Sequence, residues 1–575
     1  MARITGLPTY LIAHLKAQMK ITFLRCRPVK AISKWLVVTI VVIVIVAATS
    51  VIAFLFWQQP PAVPKKVIVY ASLSEMTSAE PSTEFSNSVM WLPLVYETLV
   101  WYDPFKDQFI PALAERWESN PESTEWTFYI RRNAKFHDGS PVNAEAVAFS
   151  INRTITLGGG AAYIWDPVER IEVVDEYTVK FHLKYPAPLL KVAASPYAAY
   201  IFCPNVVKYA NATDPADPKV ADWFNKGNDC GSGPYKLTKW DPEFEVVLEK
   251  WNDWWGWREP DYPWRSSLDK APDIFILKII KDAATQSRML RAGEIHIAEY
   301  VPVEDVEGFE KDPNFVVVRK PSFQNLLMLI NTKKPPLNDV RVRMAIAHAI
   351  PYEDIVRLAR GGLARVASGP IPYGLWGHFD NLTYTYDLEL AKRLLAEAGY
   401  PTGIPRTFTL VYTAGDVYEA KTSEIIKASL AKIGINVEIR PMSWEEQWAL
   451  AQKGWEAPEE VQDLFIFYWW PDVLSPITYL YNMFHSESKA FNLCYYENST
   501  FDEIIMQAYA VEGSDPHKAL ELYYRAQYML YVDVPAVPLW DMLEIRVSVA
   551  RVKNLESAVN PCYPTVVFAQ MLIVE

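Results

Sequence analysis

Apolar and polar positions follow two periods along most of the chain. Apolar residues recur at helical spacing in VRVRMAIAHAIPYEDIVRLA (340–359), DLELAKRLLAEAGY (387–400) and YEAKTSEIIKASLAKIG (418–434). Strict alternation, typical of strands, appears in TFTLVYT (407–413) and INVEIRPM (435–442). Because these helices lie between strands, the pattern predicts mixed α/β lobes.

The pattern also divides the chain into two halves. A strand-like VIVYA (67–71) begins the first half, and a polar break near 311–321 separates it from the second. The last 40 residues are strand-like again. A two-lobed body whose chain crosses between the lobes twice, near 318–331 and 535–549, explains this tail. Self-similarity at a period of 20–50 residues is missing from the sequence, which disfavours solenoids and propellers.

A separate apolar run near the start predicts a membrane span. Residues 35–57 carry no charge, and 23 residues of helix cover roughly 34 Å, enough for the hydrocarbon core. Trp35 and Trp57 lie at its two ends, where amphipathic rings favour the interface. The segment 1–34 has seven basic and no acidic residues, so it should remain in the cytoplasm while the rest lies outside.

A cleaved signal peptide is the competing interpretation of this segment. Its apolar run is usually shorter, and no clear small-x-small cleavage site follows residue 57. The proline-containing QQPPAVPKK (58–66) then predicts a short stiff spacer. We therefore expect an uncleaved single-pass anchor with the main domain on the extracellular face.

Composition excludes several classes of protein. The 575 residues are 50% hydrophobic and 22% charged, too apolar for a disordered chain and too charged for a polytopic membrane protein. The net charge is −12, and the residues after 34 sum to −19, with 49 basic and 68 acidic side chains. This balance argues against nucleic acid as a partner.

Cysteines and sequons fit an exported domain. Four of the five cysteines follow the span, and an oxidising exterior permits disulfides between them. Cys203 and Cys230 flank one polar loop, so we favour that bridge; Cys494 with Cys562 is a possible second one, and free thiols are the alternative. Possible N-glycosylation sites are Asn152, Asn211, Asn381 and Asn498.

Catalytic signatures are missing from the sequence. It has no GxxxxGK[ST], HExxH or GxSxG motif, and none of the eight histidines are spaced i,i+3 or i,i+4. These missing motifs disfavour an enzyme without ruling one out. Our prediction is a protein that is not an enzyme, with no catalytic residues, no metal and no cofactor.

Several stretches in order resemble the family 5 extracellular solute-binding proteins of ABC importers, which take up oligopeptides, dipeptides, nickel and some oligosaccharides. The stretches are LVYETLVWYD (94–103), WTFYIRRNAKFHDGSPVNAEAVAFSINR (126–153), GSGPYKLTKW (231–240), KWNDWWG (250–256), RMAIAHAIPYEDIV (343–356), GPIPYGLWG (369–377), FYWWPDVLSPITYLYNMF (467–484) and LELYYRAQYMLYVDVPAVPLW (520–540). The likeness covers nearly all of 67–575.

The resemblance implies an α/β, two-lobed periplasmic-binding-protein-like fold (the large, type II form) with a hinge, in addition to the N-terminal transmembrane helix. The predicted domains are a basic cytoplasmic segment 1–34, a transmembrane signal anchor 35–57, a Pro-rich linker 58–66, lobe I over 67–320 and 535–575 with an inserted subdomain, and lobe II over 321–534.

The resemblance also implies a ligand site. In peptide-binding members, the carboxylate that matches Asp472 takes the α-ammonium of the ligand, and the tryptophan that matches Trp469 lines the cleft. A carboxylate in a water-poor cleft favours a cation through a charge-assisted hydrogen bond. The alternative role for Asp472 is to cap the helix that follows it. Trp470 and Trp540 are further candidates, while Trp251 and its neighbours suit packing.

These observations predict the substrate-binding component of an ABC importer. We expect a monomer that captures oligopeptides outside the cell and passes them to the permease subunits. An oligosaccharide carrier with Trp469 and Trp470 stacking on sugar rings is the first alternative, because tryptophan offers the largest aromatic face. A secreted hydrolase on the same scaffold is the second.

Overall fold

The computed structural model describes residues 65–73, 75–103, 106, 108–260, 262–562 and 565–575, and a few positions between 35 and 47. The chain divides into two compact units, Met1–Pro64 and Lys65–Glu575. Most of the predicted span 35–57, the segment 1–34 and most of the linker lie outside the described residues. The described positions of the span are helical. Among described residues, none of the helices has the length and apolar character to cross a bilayer.

The strands of the larger unit are numbered in chain order. They are β1 (Val67–Ser72), β2 (Val100–Asp103), β3 (Gln108–Pro111), β4 (Ala114–Ser119), β5 (Glu125–Ile130), β6 (Val168–Asp175), β7 (Thr178–Leu183), β8 (Tyr235–Asp241), β9 (Glu245–Lys250), β10 (Ile274–Ile279), β11 (Ile297–Ala298), β12 (Phe315–Ile330), β13 (Ala364–Val366), β14 (Phe408–Thr413), β15 (Val437–Met442), β16 (Leu464–Trp469), β17 (Ala536–Val549), β18 (Val552–Lys553) and β19 (Ile573–Val574).

The α-helices are numbered in the same way. They are α1 (Leu92–Val95), α2 (Ala144–Leu157), α3 (Leu189–Ala193), α4 (Val206–Tyr209), α5 (Pro218–Asn225), α6 (Arg265–Leu268), α7 (Ala283–Ala292), α8 (Val303–Lys311), α9 (Val340–His348), α10 (Tyr352–Ala359), α11 (Leu388–Glu397), α12 (Val417–Ala431), α13 (Trp444–Gln452), α14 (Ile477–Phe484), α15 (Ser499–Glu512), α16 (Pro516–Asp533) and α17 (Leu555–Ala558). Short 3₁₀ helices include Asn87–Met90 and Ala162–Trp165.

One long mixed sheet runs through the unit in the order β15-β14-β16-β12-β17-β11-β1-β10-β9-β8, with β13 paired to β17. On one side β14 is parallel to β15 and β16, and on the other β1 is parallel to β10 and β11. A separate antiparallel sheet, β4-β5-β7-β6, lies in the first half of the unit. The two parallel clusters are the sheet cores of two α/β halves.

The antiparallel pair β12–β17 joins the two halves. Its register runs from Phe315 opposite Val549 to Leu329 opposite Ala536, with irregularities between Pro321 and Asn325 and between Leu326 and Leu327. Pro321 and Pro538 lie at these irregularities, where a residue without an N–H is tolerated. The two crossing segments expected at 318–331 and 535–549 coincide with these strands. The polar break expected near 311–321 is instead the beginning of β12.

Side-chain caps mark the beginning of helices in both halves. Asp387 caps α11, its Oδ1 accepting from the Leu390 amide at 2.8 Å, and Asn143 caps α2 in the same way. The single helix expected over 340–359 is wrong, because the structure has two helices, α9 and α10, that meet at Pro351. Proline has no N–H for the helical bond, and the residue before it is pushed away from helical geometry.

Tryptophans of the 250–264 run pack inside the first half, as their composition suggests. Trp254 and Trp255 are buried, and both indole N–H groups donate to the Glu97 carboxylate, at 3.1 Å and 2.9 Å. Burial raises the pKa of Glu97 to about 7, although these donors oppose the shift. The aromatic run is therefore a packing cluster around one buried acid.

A disulfide joins Cys203 to Cys230, with the two Cα atoms 5.4 Å apart and 27 residues of separation. The second predicted bridge is wrong, because Cys494 and Cys562 are both free and buried. The thiol of Cys494 contacts Asn492 and the Met483 carbonyl instead.

The sequons differ in how their amides are placed. Asn152, Asn211 and Asn381 are exposed, and the Asn381 Nδ2 donates to the Tyr524 hydroxyl at 3.0 Å. Asn498 caps α15 through its side-chain oxygen and donates to the Tyr496 hydroxyl at 3.0 Å, so its amide is already engaged. Use of these sites stays a prediction.

Removal of the Cys203–Cys230 bridge should destabilise the protein. The bridge closes a loop of 27 residues of separation, which restricts the unfolded chain by about 3.5 kcal/mol, so the double variant Cys203→Ala/Cys230→Ala should lose about 2–4 kcal/mol of unfolding free energy. Urea denaturation with and without reductant measures this. Reductant should lower the stability of the natural protein and leave the double variant unchanged; equal sensitivity of both would contradict the assignment.

Candidate functional site

A cavity of about 1130 Å³, counted with the solvent at its mouth, lies where the two halves of the sheet meet. It is lined by Leu73 after β1, by Glu299 and Tyr300 after β11, and by residues 415–418 after β14. Gln324 and Met542, on the irregular stretch of the crossing strands, complete its base. Ligands of open α/β sheets bind outside the carboxyl ends of strands, so this position is that of a ligand site.

Aromatic side chains from both halves line the cavity. They are Tyr197, Tyr300, Tyr418, Tyr468 and Trp470. Ser86 and Asn87, at the start of the 3₁₀ helix Asn87–Met90, add polar groups. The lining therefore consists mainly of amphipathic aromatic rings, with additional polar groups from Ser86 and Asn87.

Charged groups of both signs reach the cavity. Glu299 is 2% exposed, and its Oε2 accepts from the Leu73 amide at 2.9 Å. Asp416 caps α12, its Oδ1 accepting from the Tyr418 and Glu419 amides at 2.8 Å each. Burial raises the pKa of Asp416, and that of the adjacent Glu419 carboxyl is raised as well. Arg360 supplies the opposite charge.

Arg360 follows α10 and precedes two glycines in left-handed conformation, Gly361 and Gly362. Its side chain is 4% exposed, and its guanidinium carbon lies 4.0 Å from the ring centroid of Tyr418 and 4.9 Å from that of Trp540. Sequence reasoning did not single out this residue. An arginine between a helix end and a Gly-Gly pair was the available signal.

Asp472 lies behind the cavity wall. It is 1% exposed, and its Oδ2 accepts hydrogen bonds from the Tyr163 hydroxyl, from Asn482 at 3.3 Å and from Thr478 at 3.4 Å. Burial raises its pKa to about 7, and the Tyr163 and Thr478 hydroxyls oppose that shift. The alternative role as a helix cap is wrong, because α14 begins after Pro476 with no side-chain cap.

Of the three predicted tryptophans, Trp470 lines the cavity. Its indole N–H donates to the Tyr197 hydroxyl at 3.0 Å. Successive residues of a strand point to opposite faces, and Trp469 packs against Phe491 with ring centroids 5.4 Å apart. Trp540 is fully buried beneath Tyr468, at 5.5 Å between centroids. The structure thus brings Trp470 to the cavity and places Trp469, Trp540 and Asp472 in the layer behind it.

A family model for bacterial extracellular solute-binding proteins, family 5 Middle, matches residues 108–491. The chain belongs to this family. The two-lobed binding-protein fold expected from the resemblance is confirmed by relatives and solved structures alike.

Among relatives, the probable D,D-dipeptide-binding periplasmic protein DdpA of Escherichia coli is 30% identical over 520 residues, covering 89% of this chain and 93% of that protein. Heme-binding protein A of Haemophilus influenzae is 27% identical over 469 residues, covering 77% and 81%. Related family 5 proteins thus differ in the ligands for which they are named.

Among solved structures, the periplasmic binding protein DppA of Helicobacter pylori in complex with the peptide STSA has 26% identity and a TM-score of 0.74, covering 89% of this chain and 99% of that one. This family 5 comparison supports a binding protein located outside the cytoplasm.

Replacement of Asp472 should change how stability depends on pH. The pKa of Asp472 is about 7 in the folded protein and about 4 in the unfolded chain. Between these pH values the folded protein keeps a proton on Asp472 that the unfolded chain has lost. The free energy of unfolding therefore falls as pH rises through that window. Asp472→Asn removes this penalty. Its unfolding free energy relative to the natural protein should therefore rise by roughly 2–3 kcal/mol between pH 5 and pH 8.

Urea denaturation of both proteins at the two pH values tests this expectation. Other buried acids titrate equally in both proteins, so the difference in unfolding free energy between the variant and the natural protein reports on Asp472 alone. If that difference is the same at pH 5 and pH 8, Asp472 is ionised throughout.

Proposed function

We propose that this protein is the substrate-binding component of an ABC importer and that it captures short peptides in the cavity between its two halves. One observation carries the proposal: the cavity at the crossing strands is lined from both halves and holds charges of both signs. A peptide offers the matching set, an ammonium, a carboxylate and backbone amides. The dipeptide-binding relative supports the same class of ligand.

Ligand capture would be coupled to closure of the lobes. Lobe I (67–320 and 535–575) and lobe II (321–534) each contribute to the cavity wall, so a ligand that contacts both binds the closed form better than the open one. That difference in affinity is what drives closure. Micromolar affinity corresponds to about −8 kcal/mol, which favours closure and still allows release to the permease. The protein acts as a monomer and leaves its ligand chemically unchanged.

Asp472 would hold the peptide ammonium. Because Asp472 lies behind the cavity wall, the ammonium would reach it by taking the place of the Tyr163 hydroxyl, which donates to its carboxylate. A buried carboxyl that already accepts from three neutral donors becomes a stronger partner when one donor is a cation. Trp470, beside the carboxylate in sequence, would form the wall against which the first side chain packs.

Peptide binding is tested by calorimetry and by intrinsic fluorescence on the full-length chain in mild detergent. We expect micromolar binding of at least one of L-Ala-L-Ala, D-Ala-D-Ala and Ser-Thr-Ser-Ala. Asp472→Asn should weaken that binding more than tenfold, whereas Asp380→Asn, at an exposed carboxylate paired with Arg365, should leave it unchanged.

The aromatic lining is the specific observation that favours an oligosaccharide as second candidate. Quenching by cello- or xylo-oligosaccharides with no response to the peptides would decide for it. Turnover of a bound peptide would revive the hydrolase alternative.

We also propose that residues 35–57 tether the protein to the cell membrane, with the binding unit on the extracellular face. The described apolar positions Val41, Val42, Ile43 and Val44 are 50–61% exposed, a costly arrangement in water and a suitable one in lipid. Tethering keeps the binding unit at a high effective concentration near the permease.

The tether is tested by fractionation of producing cells. The full chain should remain in membranes after alkaline carbonate washing, and its intact mass should include residues 1–57. A variant that begins at Lys65 behind a cleavable export signal should appear in the soluble exported fraction. A natural chain that lacks its first 57 residues would show cleavage instead.

A further inference from the structure

A second cavity lies on lobe II, apart from the one between the two halves. Counted with the solvent at its mouth, it has a volume of about 990 Å³, and it is lined by residues between 351 and 386. It shares no lining residue with the inter-lobe cavity. The first turn of α10 lines it, whereas Arg360, beyond the other end of that helix, lines the inter-lobe cavity. This second cavity is the lobe II pocket.

Three tyrosines line the lobe II pocket, and each ring is held in place through its hydroxyl. The Tyr352 and Tyr384 hydroxyls donate to backbone carbonyls at 2.9 Å and 2.8 Å. Tyr386 is 42% exposed, and its hydroxyl lies 3.1 Å from that of Ser429. Because these contacts restrict the rings before a ligand arrives, little side-chain entropy is lost when an apolar surface packs against them.

The rings continue beyond the pocket as a row along α16. Tyr384 stacks on Tyr531, with centroids 4.7 Å apart and planes at 16°. Tyr531 contacts Tyr528 at 6.1 Å, and Tyr528 stacks on Tyr524 at 6.4 Å. Spacings of four and three residues place the three helix tyrosines on one face, and Tyr528 is 50% exposed. Exposed aromatic surface beside polar groups is typical of a binding surface.

Charged side chains surround the pocket, and most of them are paired. Asp380 accepts from Arg365 at 2.5 Å, and Asp354 accepts from Arg357 at 2.6 Å. The Glu353 side chain is exposed and forms no ion pair or hydrogen bond with any described residue. One unpaired carboxylate disfavours an anionic ligand, while the paired acids offer little net charge to a polycation.

A neutral saccharide matches these features together. The apolar C–H face of a pyranose packs against an aromatic ring, as the tyrosines provide. Its hydroxyls need acceptors and donors, and an ionised carboxylate such as that of Glu353 can accept from two neighbouring hydroxyls. Thr383 and Thr385, both exposed, add hydroxyls of their own to the lining.

We propose that the lobe II pocket binds a neutral hexose oligosaccharide, whose further sugar rings extend along the tyrosine row of α16. This site is separate from the proposed peptide site and does not depend on it. Tyr386 provides the exposed ring at the pocket, Glu353 accepts from the sugar hydroxyls, and Tyr528 provides the exposed ring of the row.

The test uses cellotriose, laminaritriose and maltotriose with the full-length chain, in a detergent without a sugar headgroup. Saturation-transfer NMR should detect at least one of them, with a dissociation constant of roughly a millimolar. Tyr386→Ala and Glu353→Ala should each weaken that binding by roughly fivefold or more. Two matched controls should leave it unchanged: Phe244→Ala removes a ring that is 65% exposed, and Glu389→Ala removes an acid from the first turn of α11.

Ligand charge and length provide two further readouts. Trigalacturonic acid should not bind, because Glu353 repels its carboxylates. The hexasaccharide of the sugar that binds should be held roughly tenfold more tightly than the trisaccharide, and Tyr528→Ala should remove that gain alone. Equal affinity for both lengths would overturn the extension along α16.

The outcomes separate this inference from the proposed function. Among the described residues, no tryptophan lines the lobe II pocket, whereas Trp470 lines the inter-lobe cavity. A sugar that quenches tryptophan fluorescence, and whose binding survives Tyr386→Ala, binds between the lobes; this result would overturn the inference and support the oligosaccharide carrier. Binding of none of the three sugars would also overturn it, and binding of spermidine alone would identify a cation site instead. None of these results changes the expectation for peptides.

Discussion

The backbone ladder between β12 and β17 is the constraint on which the rest of the structure depends. Each strand passes from one parallel cluster of the long sheet to the other, so both halves are held by the same pair of segments. The ladder is interrupted where Gln324 and Met542 face the cavity. The connection between the halves is thus weakest in hydrogen bonding at the base of the ligand cavity, where a bend would move both walls.

Buried charge concentrates around that base. Burial raises the pKa of Asp541 on β17 to about 7, and the carboxyls of Asp416 and Asp472 are raised as well. Arg360, beside Tyr418, adds a buried cation that forms no ion pair among the described residues. Each of these buried groups carries a desolvation cost, while the apolar clusters that extend from the cavity wall through both halves favour folding.

The sequence predicted what depends on local pattern. The apolar spacing located α11 and α12 to within about three residues at each end, and the two crossing segments were recognised from strand-like composition. Pro351 broke a helix that the apolar spacing alone would continue. The composition of the cavity could not be predicted in this way, because Glu299, Arg360 and Tyr468 come together only when distant strand ends converge. The tryptophans of WWPD illustrate the limit: strand alternation sends Trp469 and Trp470 to opposite faces, and the sequence does not say which face is the cavity.

The interrupted ladder also restricts how this chain can change in length. Four residue steps from Pro321 to Asn325 lie opposite two from Leu543 to Asp541, and the next irregularity adds a residue to the other strand. An insertion or deletion of one residue in this stretch would reverse the facing of every side chain beyond it and exchange cavity wall for core. Single substitutions here would preserve that facing. The number of residues between positions 321 and 325 therefore determines which side chains face the cavity and which face the core.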